Sequence, residues 1–399
     1  PWGTPRRPGF ARPPAPRSPP LLPTGGAAVL TGLGRLFRRI DAVVLCCALG
    51  LSAFSVVLLL GIQQMGVIGR RTVLMQVVAA GLGFIAAMVL AHLDYEQLGS
   101  WWKFYVPVAV VLMLLTFTPL GQTRTDSIET NRSWLNLGFT TIQPAEFLKI
   151  AFILSLAYHL SKVGASLNGS KTLLRVGAHA IFPVLLILLQ KDWGVALVML
   201  FIVVVMLIMA GLSCRWILLG CAAAVVFAPL AWFFLLDDYQ KIRFVLLKNP
   251  EAYALGQAYQ QLQGRISFGS RQLFGIGIFS PDHRYVPDMY NDMIFTFIGE
   301  SVGFLGALAV LLVYGLLLGR ILRIGLRCSS RMGRLVCAGV FAMLAAQIMI
   351  NVAMCLMVGP SVGVTLPLLS AGGSSVLSAY LGLGLVLSVR HGEKTTMFS

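Results

Sequence analysis

The chain has 399 residues, of which 57% are hydrophobic and 12% charged, and its mean hydropathy is +0.82. A soluble globular domain carries roughly 25% charged residues, so the composition excludes one and points to a polytopic membrane protein. The formal charge of +16 lies mostly in short connections and tails between apolar spans. That pattern reads as topology and contact with membrane lipids, and argues against nucleic-acid binding.

Residues 1–36 are rich in Pro, Arg and Gly and are expected to form a disordered, basic cytoplasmic tail without the apolar core of a signal peptide. Ten apolar spans follow, each about the 20 residues that a bilayer requires. They are expected at 41–62, 72–93, 103–120, 144–161, 173–190, 193–211, 214–236, 292–319, 333–358 and 374–390. The predicted fold is thus an all-α polytopic membrane protein of ten transmembrane helices, with a membrane domain over 37–392 and a short cytoplasmic tail over 393–399. Lys and Arg in the short loops favour an N-in, C-in orientation. Two longer loops, 121–143 and 237–291, then lie outside. The second joins helices seven and eight, and a connection of that length in a tightly connected protein is usually functional. Its IRFVLL stretch at 242–247 could lie on the membrane surface.

The seven cysteines (Cys46, Cys47, Cys214, Cys221, Cys328, Cys337, Cys355) show no metal-ligand spacing and read as buried, inert thiols. The five histidines are scattered. No metal site is expected.

Polar clusters interrupt the apolar spans. Glu146 and Lys149 share a helix face, with Pro144 suited to its first turn. They form either an internal ion pair or the lining of a polar cavity in which Lys149 holds an anion. Gln190 and Asp192 stand at a tight turn that could simply be solvated. Gln347 and Asn351, four apart, could be interhelical glue. The Gly-, Pro- and Ser-rich segment 359–375 is irregular yet apolar, which is tolerated where backbone lines a cavity. Its Ser374 and Ser375 either cap the last helix or offer donors to an anion. In PDHRYVPDMYNDMIFTFIGE (281–300), Asp292 stands where the long loop becomes a helix, and Glu300 lies eight residues further on. Asp292 is either a capping acid or a general base.

Six blocks in order resemble the SEDS family (shape, elongation, division and sporulation), over roughly 40–392. They are SWLNLGFTTIQPAEFLKI (133–150), QKDWGVAL (190–197), AYQQLQGRISFGSRQLFGIG (258–277), VPDMYNDMIFTFIGESVGFLGA (286–307), QIMINVAM (347–354) and GVTLPLLSAGGSSVLS (363–378). The entry Arg39-Ile40-Asp41 and LDYEQL (93–98) resemble the RodA branch. Ser133 stands where the family has Arg, with Arg132 one position earlier. Arg271 and Gln272 replace loop glycines, Asn291 replaces Thr, and Tyr290 replaces the common His.

The resemblance implies a peptidoglycan glycosyltransferase of the bacterial plasma membrane, with its active site outside the cytoplasm. It would polymerise lipid II onto undecaprenyl-diphosphate-linked glycan through inverting β-1,4 bonds. Asp292 matches the family's catalytic acid. Glu146, Lys149, Gln143, Arg132, Asp192, Gln260, Gln263, Ser374 and Ser375 match substrate-binding positions, while Glu300, Gln347 and Asn351 would form a supporting polar network. Lys149, Arg132, Arg265 and Arg271 are candidates to hold the leaving diphosphate. A divalent cation could assist, although no dedicated cage is visible. The implied partner is a class B penicillin-binding protein. Lipid II flipping is the alternative function.

Overall fold

The computed structural model describes residues 41–122, 132–138, 140–234, 236–248, 250–253, 258–269 and 273–396. The expected tail 1–36, and Arg271 and Gln272, lie outside those residues. The membrane unit is Ile40–Ser399. Each expected span coincides with a helix. Helix α1 is Ala42–Gln64, α2 Arg70–His92, α3 the short Tyr95–Ser100 and α4 Trp102–Leu115. Next come α5 (Pro144–Val163), α6 (Ser170–Leu189), α7 (Trp193–Met209) and α8 (Cys214–Phe234). Helices α9 (Asp238–Lys248) and α10 (Tyr259–Gly269) lie within the expected long loop, and α11 (Ile294–Arg327), α12 (Arg331–Cys355) and α13 (Gly373–Thr396) complete the chain. Eight helices are long and apolar enough to cross a membrane, and α4 and α7 are shorter apolar helices.

The fold is mostly helical, but not wholly so. The connection before α5 forms a three-stranded antiparallel sheet of β1 (Gly121–Gln122), β2 (Trp134–Asn136) and β3 (Thr141–Ile142). Leu135 pairs with both Gly121 and Ile142. These strands are too short for their alternation to be visible in the sequence.

Several boundaries shift: α4 ends at Leu115, short of the expected 120, and α13 runs to Thr396, past the expected 390 and into the expected tail 393–399. Helix α11 runs to Arg327, eight residues past its expected end, so Arg320 and Arg323 are helical. Cations suit a helix C-terminus, so the helix outlasts its apolar stretch. Its first turn also starts later. Met293 is the N-cap, without a side-chain hydrogen bond, and Asp292 lies in the preceding turn. Asp292 is therefore not the capping acid. A tight turn at Asp288 (φ 56), closed by Asn291 and Met293 N–H donating to the Asp288 carbonyl, delays the helix.

Helices α12 and α13 run through the core and are buried on most of their apolar length, whereas none of the apolar stretch of α8 is buried. Hydropathy alone cannot separate these cases, because a lipid-facing helix side is as apolar as a bundle-facing one. The cysteines show the same limit. Cys47, Cys328, Cys337 and Cys355 are buried as expected, but Cys46, Cys214 and Cys221 are exposed.

The two ends of the bundle are tied differently. At one end, Asp41 receives Arg320 through both oxygens, at 2.7–3.0 Å. There, too, Arg331 donates to the carbonyls of Gly164 and Ala210, and Ser330 Oγ donates to Glu96. The other end gathers the small sheet, the 190–192 turn, the segment 356–372 and the approach to α11.

Candidate active site

The site assembles at that second end, around the irregular segment before α13. Three main-chain carbonyls in a row, at 290–292, are taken up. Ala371 N–H donates to Tyr290 O (2.8 Å) and Ser370 Oγ to Asn291 O (2.6 Å). Asn351 Nδ2, on α12, donates to Asp292 O (2.8 Å) and to Val364 O (2.7 Å). Both amide hydrogens of Asn351 are thus spent on joining the Asp292 turn to the 364 segment. A buried amide with its donors satisfied is a strong fixing device. Gln347 is buried one turn before it. The side chain of Asp292 is buried and faces Gly363, where a Cβ would lie 3.5 Å from Oδ2. Gly363 has φ +64, a region that suits glycine.

The same segment is tied to α1 and α2. Gln76 Nε2 donates to Ser55 Oγ (3.0 Å) and to Ser370 O (3.1 Å), and its Oε1 accepts from Gly372 N–H (3.3 Å). Ser55 Oγ donates to Leu369 O (2.6 Å), and the Tyr314 hydroxyl to Pro367 O. Sequence reasoning missed Gln76, Ser55 and Tyr314. A glutamine inside an otherwise apolar span was the available signal.

A second cluster lies on α5. Lys149 Nζ is wholly buried and donates to Glu146 Oε1 at 2.9 Å, and Glu146 Oε2 accepts from Ser378 Oγ at 2.7 Å. The internal ion pair is therefore formed, and Lys149 is spent on it. Gln143 bridges outward: its N–H donates to Ser374 Oγ (3.1 Å) and its Nε2 to Asp192 Oδ2 (2.9 Å). Asp192 caps α7 through Val195 N–H (3.1 Å). The 190–192 turn is only partly solvated: Gln190 and Asp192 are buried, and Lys191 between them is exposed. Burial pushes the Asp192 carboxyl up to about 6, against the hydrogen bonds from Val195 and Gln143. Ser375 Oγ is 2.8 Å from Thr365 Oγ1. Ser374 and Ser375 thus fasten the start of α13 to α5 and to the 365 segment.

The remaining expected residues are placed elsewhere. Gln260 donates to Pro287 O (3.1 Å), and Gln263 accepts from the Arg284 guanidinium (2.7 Å). Both hold the chain leading to Asp292. Arg132 and Arg265 are exposed. Among the described residues, no three His, Cys, Asp or Glu side chains gather as a metal-binding cluster.

Beside this network lies a cavity of about 630 Å³, between α2, the small sheet, Phe147 and the start of α13. Arg71, Gln76, Asn136, Tyr290 and Ser374 give it polar points, and Val78, Leu82 and Leu377 give it an apolar side.

Fold and site together define a polytopic helical membrane protein whose buried carboxylates and donors converge at one end of the bundle. Residues 38–395 match the family described as "Cell cycle protein", FtsW/RodA/SpoVE, and the chain belongs to this family. It is 32% identical over 319 residues to stage V sporulation protein E of Bacillus subtilis, covering 79% of this chain and 85% of that one. It is 29% identical over 364 residues to the peptidoglycan glycosyltransferase MrdB of Escherichia coli, covering 89% and 95%. A solved chain from a structure described as "Structural coordination of polymerization and crosslinking by a peptidoglycan synthase complex" superposes with a TM-score of 0.74 at 29% identity, covering 88% of this chain and 98% of that one.

Proposed function

We propose that the chain is a peptidoglycan glycosyltransferase that polymerises lipid II, with Asp292 as its general base. The observation that carries the assignment of Asp292 is the fixing of its backbone. The carbonyls of 290, 291 and 292 are each held by a different residue of α12 or the 370–371 segment. The carboxylate is thereby presented from a rigid support, as a base that must meet one hydroxyl requires.

In this reading Asp292 takes the proton from the 4-hydroxyl of the acceptor GlcNAc as its oxygen attacks the anomeric carbon of the donor glycan. The undecaprenyl diphosphate leaves from the opposite face, and the configuration inverts. Charge building on the diphosphate needs a cation or donors nearby. Arg71, which lines the cavity, joins Lys149, Arg132 and Arg265 as a candidate for that task. The apolar side of the cavity suits a polyprenyl chain.

The orientation follows the arginines. Arg320, Arg323, Arg327, Arg331, Arg334 and Arg390 sit on the ends of α11, α12 and α13 away from the site. By the positive-inside rule that end is cytoplasmic, and Asp292 then works outside, on ten membrane-crossing helices counting α4 and α7. The partner in this reading is a class B penicillin-binding protein. The solved synthase complex, described as coordinating polymerisation and crosslinking, supports that pairing.

The test is polymerisation of purified lipid II by this chain with its transpeptidase. Asp292→Asn should lower the rate by roughly 10²–10⁴-fold, the usual contribution of a general base. A variant that makes strands at the normal rate removes Asp292 from the chemistry. Failure of the native protein to make strands, combined with passage of labelled lipid II across liposomes, would establish flipping instead.

A further inference from the structure

The approach to Asp292 is fastened a second time, at Glu300. This carboxylate lies on α11 just before a break in the helix at Gly303, where φ is +70. A Cβ at Gly303 would lie 2.3 Å from the Leu273 carbonyl, so the break is where the 273–277 strand of chain docks. Ile276 N–H donates to Glu300 O (3.0 Å) and Gly277 N–H to Ser301 O (2.8 Å). The Glu300 side chain is buried and reaches back into the docked segment. Its Oε1 accepts from Arg284 N–H (3.0 Å) and its Oε2 from Ser267 Oγ on α10 (3.0 Å). His283 Nδ1 lies 3.4 Å from Oε2, and the His283 side chain is fully buried.

The His283 ring is held through its other nitrogen. Nε2 lies 3.2 Å from the Ile278 carbonyl. A carbonyl only accepts, so Nε2 carries a proton. The ring also tilts against Phe297, with centroids 4.7 Å apart. Three separate pieces of chain, α10, the 276–284 segment and α11, therefore meet on one carboxylate. The segment then runs from Arg284 through Pro287 and Asp288, where Gln260 holds it, directly into the carbonyls fixed at 290–292.

We propose that Glu300 is a positioning residue for the glycosyl transfer: a buried carboxylate latch, with the His283 ring packed beside it, that docks the 276–284 segment and α10 onto α11 and so sets where Asp292 stands. This rests on the reading of Asp292 as the base. The latch touches no substrate. It acts by fixing the entry to a turn whose exit is fixed by Asn351 and Ser370. A catalytic group displaced by about 1 Å loses on the order of 100-fold in rate.

The latch makes an unusual demand of its variants. Glu300→Gln retains an oxygen for Arg284 N–H, and its amide can donate to Ser267 Oγ. That variant should turn over close to the native rate. Glu300→Ala should lower kcat by roughly 100-fold with KM for lipid II unchanged, in protein that elutes as a single species. Should Glu300→Ala not fold, Ser267→Ala deletes one arm of the latch and carries the same test.

Native kcat in the folded variants overturns the proposal. So does a raised KM at native kcat, or a Glu300→Gln as slow as Glu300→Ala. Asp292→Asn is measured alongside. If it is slow while the latch variants run at native kcat, the latch alone is wrong. If it runs at the native rate, the base reading falls and the positioning role with it.

Discussion

The two ends of the helical bundle solve the same problem in opposite ways. At the Asp41 end, helix termini are stitched by charged side chains. Asp41 grips Arg320, Ser329 donates to Glu393, and Arg331 reaches the last carbonyls of two neighbouring segments. Arg320 remains about a quarter exposed, and such pairs close an end without building anything. At the Asp292 end the chain leaves the helix for a small sheet and the stretch 356–372. There the side chains mostly hold main chain: Asn351 binds two carbonyls, Ser370 one, and the Gln76 amide both accepts from and donates to backbone. Irregular backbone inside a membrane protein is affordable only when its polar groups are satisfied. The second end meets that cost, and the result is a rigid support for a carboxylate.

This contrast can be broken by measurement. The largest effect on stability should come from Lys149→Ala. It leaves Glu146 charged and buried with Ser378 as its remaining hydrogen-bond donor, at a cost of about 3–5 kcal/mol. Thermal unfolding in detergent reads this loss, and pairing the change with Glu146→Gln should recover most of it. A Lys149→Ala protein as stable as the native one would mean that the ion pair is not structural.

A smaller loss is expected at the opposite end. Arg320→Ala removes the guanidinium, but Asp41 keeps Val44 N–H and the favourable N-terminus of α1. The loss should be about 1.5–3 kcal/mol, with lipid II polymerisation unchanged per folded molecule. If the rate falls as well, the two ends are coupled and the comparison is too sharp.

A third effect concerns pH. The folded Asp192 carboxyl sits at about 6, above the ordinary value of roughly 3.9. The folded state therefore binds the proton more tightly than the unfolded one. The stability contribution is fully present below about 4 and is lost as pH rises through about 6. Asp192→Asn should flatten the unfolding midpoint over that window. An unchanged slope would place the titration on another group.

The elements differ in how readable they were. The spans expected at 333–358 and 374–390 announce themselves as helices, because an apolar run of bilayer length has one stable form. The pairing of Glu146 with Lys149 was legible too, since a spacing of three puts both on one face. The resemblance singled out Asp292, Asn351 and Glu300 without saying what any of them touches. Other features left no trace. The sheet at 121–142 is too short to show a period, and the end of α11 at Arg327 is hidden by arginines that ordinarily signal a loop. Exposed Cys46 and buried Cys47 are adjacent in an equally apolar stretch.

The sequence by itself determined which stretches form the long apolar helices, and which polar residues interrupt them. Those features are local, because a bilayer imposes length and hydropathy on each helix separately. Only the tertiary structure decided what the interruptions do. Asn351 meets Asp292 across 59 residues, Glu146 meets Ser378 across 232, and Gln76 meets Ser370 across 294. Such contacts depend on which side of each helix faces the bundle, and a span apolar all round does not encode that side. The partner does, once the helices have packed.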